Sequence, residues 1–571
     1  MVKVNYVGTD PARKKAGFIM PTNDLAITIN ANTYKVPSGT TVFDAINLDP
    51  TFASSSVVAA VVNTSLRELS YPLSCNASIE PLGLNNEEGL RIYRRSLLLL
   101  LIKAVHDLHP SARVIVHHTL SNGLFCEIRN CINIDTAQLQ AIKQQMWVYI
   151  NQQSPILKHT LPSQEAIELF QRAGQTDKVR LLKFRSQPEV NVYELAGYLD
   201  YFYGYMLPHV GYLSQFELLP YRGGLLMQTP DADAPNRINP YQPLPKLGDI
   251  FAESEYWAEV LEVADVGQLN ELIAAGQGND IMRVAEALQE KKVAQIADQF
   301  CSRPEARIIL ISGPSSSGKT TFAQRLGVQL RVNGLKPVSI SLDNYFVDRE
   351  NTPLDDTGEY DFEALEAVDL ELFNQHLLLL LAGTAVEMPI FNFHTGKREY
   401  QGQTLKVADQ QPIIIEGIHG MNDRLTAQIA AAKKFKVYVS ALTQLNLDNH
   451  NRIPTTDARI LRRMVRDYQY RGHSARETIR RWPSVRRGEN KNIFPYQEQA
   501  DIMFNSSLVY ELAVLKPFVQ PLLEKIASTT PEYITAHRLL KFIEYFLPMS
   551  TEEIPPNSIL REFVGGTCFR V

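Results

Sequence analysis

The sequence contains 571 residues, several times the usual length of one domain, so a single compact module is excluded and two to four domains are expected. Hydrophobic residues make up 45% and charged residues 21%, as in ordinary globular chains, which excludes collagenous and low-complexity proteins. With 57 Lys and Arg against 62 Asp and Glu, the net charge of −5 argues against a surface that binds polyanions throughout, although a local basic patch is compatible with it.

Three features of the sequence bear on cellular location: the cysteines, the N-terminal segment and the leucine runs. The five cysteines include no C-x-x-C pair, which argues against a zinc ribbon or a dithiol redox site and favours a reducing compartment. The N-terminal segment has no apolar region followed by a small-residue cleavage site. The leucine runs at 97–101 and 377–381 are far shorter than the roughly 20 apolar residues that a bilayer requires. We expect a cytoplasmic protein with no membrane partner.

The first 92 residues predict a small β-rich domain with one helix. Residues 25–37 alternate apolar and polar side chains, as half-buried strands do, and residues 41–45 open a short helix after a Pro-Ser-Gly turn. Residues 57–62 and 69–73 predict two more strands around an Asn-Thr-Ser turn.

Residues 93–240 predict a second domain of mixed helices and strands. Residues 94–107 and 136–152 predict helices, and the segments 112–117 and 123–128 predict two strands joined by a Ser-Asn-Gly turn.

A linker region and a separate α/β domain follow. Residues 229–248 concentrate Pro, Asp and Asn as linkers do, and helical periodicity then predicts a helical linker over 241–304. Residues 305–571 predict an α/β domain with a C-terminal helical tail. The apolar runs typical of strands buried on both faces of a parallel sheet are 307–311, 337–342 and 412–415.

A phosphate-binding loop is the most specific motif. Residues 313–320 match G-x-x-x-x-G-K-[ST], after a predicted strand and before a run that favours a helix. Its glycines let successive N–H groups point inward, and the helix N-terminus adds partial positive charge; the alternative is a Gly/Ser-rich loop without a ligand. Lys319 is predicted to reach the β- and γ-phosphates of ATP, and Thr320 to offer its hydroxyl to Mg²⁺. The predicted ATP-binding residues are Gly313, Pro314, Ser315, Ser316, Ser317, Gly318, Lys319, Thr320 and Thr321.

Two further predicted strands end in an acid. Asp343 follows the strand at 338–342, where a kinase needs its general base, although a turn or N-cap Asp is an equally good interpretation of that residue alone. Glu416 follows the strand at 413–415, where Mg²⁺ or its waters are held in such folds. Ligands of open α/β sheets bind beyond the carboxyl ends of the strands, so Lys319, Asp343 and Glu416 together predict one site.

The C-terminal domain contains an ordered series of short motifs. They are Gly313 to Thr321, Asp343-Asn-Tyr-Phe346, Tyr360-Asp-Phe-Glu363, Pro389-Ile-Phe-Asn-Phe393 with Lys397-Arg398, Ile415-Glu-Gly-Ile418, Arg462-Arg-Met-Val-Arg-Asp467 with Arg471-Gly472, and Ala500-Asp501. With these motifs the sequence resembles the uridine kinases over about residues 305–525, and phosphoribulokinases and pantothenate kinases are the relatives with which it could be confused. The resemblance implies an α/β P-loop kinase domain with a parallel sheet.

The resemblance also implies roles for the acceptor site. Asp343 corresponds to the base that deprotonates a nucleoside 5′-hydroxyl, and Glu363 to the acid that holds the ribose diol. Four phenylalanines and Arg398 would surround the nucleoside. Packing in the protein core is the alternative for the four rings, and for Phe362 it is the favoured interpretation. The predicted substrate-binding residues are Glu363, Phe346, Phe391, Phe393 and Arg398. Gly396 stands where the family's base-contacting His is expected, and His394 is two positions early, so the choice of base is open.

An arginine-rich segment from 459 to 491 resembles the family's lid. Arg466 and Arg471 match the lid arginines, which stabilise charge on the transferring phosphoryl group, and His473 replaces a third arginine. Four other arginines of this segment are interpreted as part of a solvated helical face. A surface that binds nucleic acid is a third interpretation of the segment. Those four are Arg480, Arg481, Arg486 and Arg487. The predicted catalytic residues are Asp343, Lys319, Arg466 and Arg471.

The N-terminal half contains the segments Tyr71-Pro-Leu73, Ile79-Glu-Pro-Leu82 and Glu88-Gly-Leu-Arg-Ile-Tyr93. With these segments, residues 24–92 resemble the β-grasp TGS domain of threonyl-tRNA synthetases. The next segment resembles that enzyme's second additional domain, which hydrolyses mischarged tRNA through a His-x-x-x-His pair and a Cys-x-x-x-His pair. Here Arg95 and Leu99 align with the first pair, and only His209 remains of the second. One histidine cannot assemble that site, so we predict that this half has lost the editing chemistry.

The sequence therefore predicts a fold of three parts: a TGS-like β-grasp domain, an α+β synthetase-like domain and an α/β P-loop kinase domain. The predicted function is ATP- and Mg²⁺-dependent phosphorylation of a ribonucleoside 5′-hydroxyl, with uridine or cytidine as first candidates. The alternatives are an RNA-associated, nucleotide-gated regulatory protein and a kinase of another small molecule, of the sugar phosphate or pantothenate type. The expected partners are the nucleoside, RNA through the N-terminal half, and a second copy of the chain.

Overall fold

The computed structural model describes residues 24–52, 57–130, 134–355, 358–443 and 445–569. The N-terminal segment that was considered for a targeting signal, residues 1–23, lies outside the described residues, as does Cys131.

The first structural unit is a five-stranded mixed sheet with one short helix. Its order is β2-β1-β5-β3-β4, with β1 and β5 parallel at the centre and the other pairs antiparallel. Residues 69–73, which were predicted as a strand, follow β4 outside the ladder, although Leu69 and Leu73 are buried in the core of this unit. The elements are β1 Asp24–Ile29, β2 Asn32–Pro37, α1 Val42–Ile46, β3 Ala59–Val62, β4 Ser65–Arg67 and β5 Ala77–Leu82.

The second unit packs two antiparallel sheets around a long buried helix. The sheet orders are β11-β12-β7-β6 and β10-β9-β8. The helix α2 is buried along most of its length because its leucine run faces core on several sides, and it crosses the boundary predicted at residue 92. The elements are α2 Glu87–Leu108, β6 Arg113–Leu120, β7 Gly123–Arg129, α3 Thr136–Asn151, β8 Ile156–Pro162, α4 Ser163–Arg172, α5 Thr176–Lys183, β9 Glu189–Leu195, β10 Tyr198–Tyr201, β11 Glu217–Tyr221 and β12 Gly224–Gln228.

Three helices cover the segment that was predicted as a helical linker: α6 Pro245–Val260, α7 Val266–Ala274 and α8 Gly278–Cys301. They are packed elements rather than an exposed tether. Val293, Ile296 and Phe300 of α8 are buried in the same core as the central strand of the following sheet.

The third unit is built on an all-parallel sheet of order β14-β17-β13-β18-β19. Every residue of the central strand β13 is buried, because helices cover both faces of the sheet. A separate hairpin, β15 and β16, stands beside it. The elements are β13 Ile308–Ser312, α9 Lys319–Val332, β14 Val338–Ser341, α10 Leu370–Leu381, β15 Val386–Asn392, β16 Lys397–Leu405, β17 Ile413–Glu416, β18 Lys434–Ser440, α11 Thr455–Tyr470, α12 Ala475–Asn492, β19 Ile502–Asn505, α13 Glu511–Glu524, α14 Tyr533–Ile543 and α15 Arg561–Val564.

The loop between β18 and α11 joins this unit to the synthetase-like unit. The backbone N–H of Val116 donates to the carbonyl of Asn449 at 2.8 Å, and the Asn446 amide donates to the carbonyl of Val116 at 2.6 Å. Beside them, Lys178 Nζ lies 2.9 Å from Asp200 Oδ1 and 3.0 Å from His450 Nδ1, with all three side chains buried. The two halves therefore share a buried charged contact.

Candidate active site

The phosphate loop connects the buried strand β13 to the start of helix α9, as predicted. Its glycines are required by close approach, because a Cβ atom on Gly313 would lie 1.8 Å from the carbonyl oxygen of Val439. Gly318 has a φ of +81°, and a Cβ there would lie 2.5 Å from the Ile559 side chain. Within the described residues, the buried hydroxyls of Ser316 and Ser317 have no hydrogen-bond partner in the protein. The loop thus offers free hydroxyls and helix N-terminal N–H groups to an anion.

Lys319, Asp343 and Glu416 meet at the carboxyl ends of three neighbouring strands. Lys319 Nζ donates to the carbonyl of Pro314 at 3.1 Å, and burial lowers its pKa against the opposing charges of Glu416 and Asp343. Burial also raises the pKa of Asp343, while Lys319 opposes that shift. The sequence-predicted phosphate lysine and candidate base therefore share one cleft.

Glu416 has the chemistry of a metal ligand in this cleft. Burial, followed by the charge of Asp343, raises the pKa of Glu416 to about 7, and one carboxylate oxygen accepts a 2.8 Å hydrogen bond from the Ser341 hydroxyl. Two close carboxylates at low dielectric are stabilised by a cation. A carboxylate, the Thr320 hydroxyl and nucleotide phosphates form the oxygen set that Mg²⁺ prefers, so the donor set fits Mg²⁺.

Glu363 faces the same cleft from the loop before α10. Within the described residues its buried Oε2 has no hydrogen-bond partner, and burial, followed by the charge of Glu489, raises its pKa to about 7. The following residue is fixed by His419, whose Nε2–H donates to the carbonyl of Ala364 at 3.1 Å. Burial lowers the pKa of His419 to about 4, so the ring is neutral at pH 7. Glu363 is thus a fixed carboxylate with a free acceptor.

Three of the four phenylalanines form one aromatic cluster. The ring centroids of Phe346 and Phe391 are 5.6 Å apart, and those of Phe391 and Phe393 are 5.1 Å apart. Phe393 is 55% exposed and gives the cluster an open face. The interpretation of Phe362 as a core residue is wrong, because its side chain is 45% exposed and packs beside Tyr360.

The hairpin of β15 and β16 explains why Gly396 departs from the family pattern. Gly396 has a φ of +71° at the turn, and a Cβ there would lie 2.8 Å from Nε of Arg349. Any side chain at this position would have to displace Arg349 as well as adopt a positive φ, which few non-glycine residues do. Arg398, predicted as a substrate-binding residue, pairs with Asp369 at 2.9 Å, at the start of α10. His394 is exposed beside the turn.

The lid arginines are organised by one buried acid. Asp467 accepts a 3.1 Å hydrogen bond from Arg463 Nε and lies 3.5 Å from Arg471 and 3.7 Å from Arg466. Burial and the charge of Arg471 lower the pKa of Arg466 to about 10, and both arginines oppose the raised pKa of Asp343. The structure therefore brings the predicted catalytic residues Asp343, Lys319, Arg466 and Arg471 to the same cleft.

Helix α12 carries the other arginines. Arg480, Arg481 and Arg487 are exposed, as predicted. The prediction of a solvated position is wrong for Arg486, which is half-buried, donates to Glu489 Oε2 at 2.9 Å and lies 5.2 Å from the Phe494 ring centre.

Four residues of this cleft were missed by the sequence motifs. Glu489 Oε1 accepts from the backbone N–H of Ser315 at 3.2 Å and also pairs with Arg459, so it closes α12 onto the phosphate loop. Glu562 accepts from Thr321, and His419 holds the Glu363 loop. Arg459 begins the arginine-rich segment but is not distinguished from its neighbours in the sequence, and the roles of the other three depend on long-range packing. The four residues are Arg459, Glu489, Glu562 and His419.

The residues that align with the editing-site pattern make structural contacts in the N-terminal half. The guanidinium of Arg95 donates to the carbonyl of Tyr205 at 2.7 Å and lies 5.5 Å from the Tyr203 ring centre. Leu99 is fully buried, and His209 Nδ1 accepts from the backbone N–H of Gly211 at 3.2 Å. These side chains make hydrogen bonds and packing contacts within the N-terminal half.

No helix in the described part of the chain combines the length and the hydrophobicity that are needed to cross a membrane.

A parallel sheet, a phosphate loop and strand-end acids define a P-loop α/β domain. The sequence pattern of the Phosphoribulokinase / Uridine kinase family matches residues 308–512, and the resemblance inferred from the motifs is confirmed there. This region is therefore similar to a family of P-loop small-molecule kinases.

Curated relatives match the N-terminal half. The threonine–tRNA ligase of Francisella tularensis subsp. novicida is 26% identical over 194 residues, which is 34% of this chain and 30% of the ligase. That of Francisella tularensis subsp. tularensis is 25% identical over the same length. The chain thus spans about a third of the length of these relatives.

Two solved structures resemble part of the chain. One is described as a possible uridine kinase from Bacillus stearothermophilus, with 19% identity and a TM-score of 0.24, covering 35% of this chain and 89% of that one. The other is D-glycerate 3-kinase from Cryptococcus neoformans var. grubii serotype A, with 14% identity and a TM-score of 0.22, covering 46% and 89%. At TM-scores this low, the likeness says nothing about activity.

Proposed function

We propose that this protein transfers the γ-phosphoryl group of ATP to the 5′-hydroxyl of a ribonucleoside, with uridine and cytidine as the first acceptors to test. The observation that carries the proposal is the convergence of Asp343, Lys319 and Glu363 on one cleft beside the phosphate loop. A phosphate-binding lysine, a buried carboxylate and a second carboxylate with a free acceptor supply the three functions that such a transfer needs.

On the donor side, the loop amides and Lys319 bind the phosphates of ATP, and the lid arginines Arg466 and Arg471 neutralise charge on the transferring group. Thr320 and Glu416 would hold Mg²⁺. When bound, Mg²⁺ neutralises phosphate charge and fixes the phosphate geometry.

On the acceptor side, Asp343 accepts the proton of the attacking hydroxyl. Its raised pKa makes it a better proton acceptor than an exposed aspartate. Glu363 accepts hydrogen bonds from the ribose 2′- and 3′-hydroxyls through its unpaired Oε2. The open face of the aromatic cluster at Phe393 offers a stacking surface for the base.

An acceptor panel tests this function. The full-length protein is incubated with Mg²⁺, ATP and each ribonucleoside, 2′-deoxynucleoside, sugar phosphate and pantothenate in turn, and the phosphorylated product is identified by mass spectrometry. A nucleoside 5′-monophosphate is expected, with ribonucleosides preferred over 2′-deoxynucleosides because Glu363 reads the diol. Product formed only from a sugar phosphate or from pantothenate would replace the nucleoside proposal, and product from no acceptor would refute it.

RNA binding is a second candidate function. It is favoured by the match of the N-terminal half to threonine–tRNA ligases. Titration of the full chain with tRNA, with and without ATP, should then show binding that weakens as salt rises. Lack of binding at low salt would dispose of this candidate, and hydrolysis of mischarged tRNA by the full chain would overturn the predicted loss of editing.

A further inference from the structure

The C-terminal segment reaches back to the phosphate loop and places a carboxylate on it. Glu562 Oε2 accepts a 2.8 Å hydrogen bond from the Thr321 hydroxyl and lies 3.3 Å from the backbone N–H of Thr321, which donates to it. Ile559, three residues earlier, lies against Gly318, where a Cβ would meet its side chain at 2.5 Å. The segment therefore covers the first turn of α9.

The donors that Glu562 uses belong to the predicted phosphate site. Thr321 is the third residue of α9, and its N–H is one of the N–H groups at the helix N-terminus that have no partner within the helix. In a phosphate loop these groups are the ones that cradle nucleotide phosphates. A phosphate oxygen and the Glu562 carboxylate therefore compete for the same donors, and their like charges repel each other.

The backbone that carries Glu562 is firmly anchored. Ile559, Leu560 and Phe563 are fully buried, and Arg561 donates to the carbonyls of Thr551 and Ile554 at 2.8 and 2.7 Å. The whole segment would lose this burial if it left. Rotation of one glutamate side chain is the smaller change, and it is enough to release both Thr321 donors.

The other carboxylate on the loop differs in its surroundings. Glu489, at the backbone N–H of Ser315, is paired with Arg459 and with Arg486, so its charge is compensated in place. In the described part of the chain, both hydrogen bonds to the Glu562 carboxylate come from Thr321. Glu562 is 6% exposed, and the charges of Lys319 and Arg466 act on its carboxylate without a hydrogen bond among the described residues. It lacks the direct arginine pairing of Glu489, which makes it the more easily displaced of the two.

We propose that Glu562 is a built-in competitor of the nucleotide, a carboxylate that occupies part of the phosphate site and must swing away before ATP binds. The proposal rests on the proposed nucleotide site and concerns its regulation. Because only molecules with Glu562 displaced are competent, the apparent Kd for ATP is raised by the reciprocal of their fraction.

Glu562→Gln keeps the shape of the side chain and removes its charge. Binding of Mg²⁺-ATP, without an acceptor, and of inorganic tripolyphosphate is measured by calorimetry on the full chain. Both Kd values are expected to fall about tenfold relative to the unchanged protein, since a hydrogen-bonded charge no longer competes. Glu552→Gln, an exposed site ten residues earlier in the same segment, is the matched control and should leave both values unchanged.

The outcomes separate this proposal from the proposed function. An unchanged or weaker Kd for ATP in Glu562→Gln refutes the competitor while leaving the nucleotide site in place. Tighter ATP with unchanged tripolyphosphate also refutes it, because the effect would then lie on the adenosine side. Absence of nucleotide binding in every variant refutes the nucleotide site itself, and the competitor with it. If Glu562→Gln does not fold, Glu562→Ala is measured in its place with the same expectation.

Discussion

Gly488 of helix α12 lies directly against Glu363, so that a Cβ atom at position 488 would be 2.3 Å from the Cβ of Glu363. No real pair of side chains tolerates that distance. The absence of a side chain at residue 488 thus lets the arginine-bearing helix close over the candidate ribose-binding acid. The next residue, Glu489, reaches the phosphate loop from the same turn. Gly488 therefore lets one turn of α12 contact both the candidate acceptor-binding acid and, through Glu489, the phosphate loop.

Gly488→Ala should therefore impair acceptor binding. The added methyl group must displace either α12 or Glu363, and we expect the KM for the nucleoside to rise about tenfold, corresponding to roughly 1.4 kcal/mol, with a smaller effect on ATP. Steady-state kinetics, with the nucleoside and ATP varied in turn, measure the change in KM for each substrate.

Gly327→Ala is the matched control for this change. Gly327 also lies inside a helix, α9, but its added Cβ would meet neighbours at ordinary distances of 3.7 and 3.9 Å. It should leave KM unchanged and raise the free energy of unfolding by about 0.5–1 kcal/mol, the usual gain of Ala over Gly in a helix. Equal kinetic effects of the two substitutions would contradict the proposed contact.

The raised pKa of Glu363 predicts how stability varies with pH. Burial raises the pKa of this carboxyl from an ordinary value of 4.5 to about 7, so the folded protein holds a proton that the unfolded chain has already lost between those values. Its contribution to stability is therefore fully present below about pH 4.5 and is lost as the pH rises through about 7. Glu363→Gln should raise the Tm of the ligand-free protein more at pH 8 than at pH 5.5.

Thermal melts of Glu350→Gln provide the comparison. Glu350 is exposed in the short 3₁₀ turn Arg349–Asn351, so its Tm difference from the unchanged protein should be the same at both pH values. A Tm difference for Glu363→Gln that is also constant with pH would show that this carboxyl is ionised throughout.

The buried ion cluster between the halves predicts a strong dependence on Lys178. Burial alone would lower the pKa of this lysine, but the carboxylates of Asp200 and Asp177 raise it above its ordinary value. Lys178→Met removes the lysine from the buried Asp200 and leaves the His450 ring, 2.7 Å from Asp200 Oδ2, as its side-chain partner. We expect a loss of about 3–5 kcal/mol in the free energy of unfolding. Denaturant unfolding followed by circular dichroism measures it.

Lys183→Met, at the exposed end of the same helix α5, is the control and should change the free energy of unfolding by less than about 0.5 kcal/mol. If Lys178→Met lowers the free energy of unfolding no more than Lys183→Met does, the buried cluster contributes little to the contact between the two halves.

The P-loop domain could be predicted from the sequence because its signals are local. Strand β13, the phosphate loop and α9 follow one another within 25 residues, from Ile308 to Val332, and the strand-end acids Asp343 and Glu416 follow from the geometry of parallel sheets. Each of these features can be recognised from a short window of sequence.

The features that escaped prediction depend on distant contacts. Glu562 meets Thr321 across 241 residues, and nothing near Glu562 marks it as part of a phosphate site. In the sequence, Gly396 only marked the absence of the expected base-contacting histidine. The structure shows that the residue lies in a turn with a positive φ, a conformation that glycine adopts readily. Phe362 was assigned to the core from its apolar character alone, which does not distinguish a buried ring from an exposed one.

The most direct test of the account is the dependence of phosphoryl transfer on Asp343. The full-length protein, Asp343→Asn and the exposed control Glu350→Gln are assayed with Mg²⁺, ATP and the best acceptor of the panel, and ATP binding is measured in parallel. The account predicts that Asp343→Asn binds ATP but loses about 10²- to 10⁴-fold in kcat, while the control is unaffected. Full activity in Asp343→Asn would contradict it.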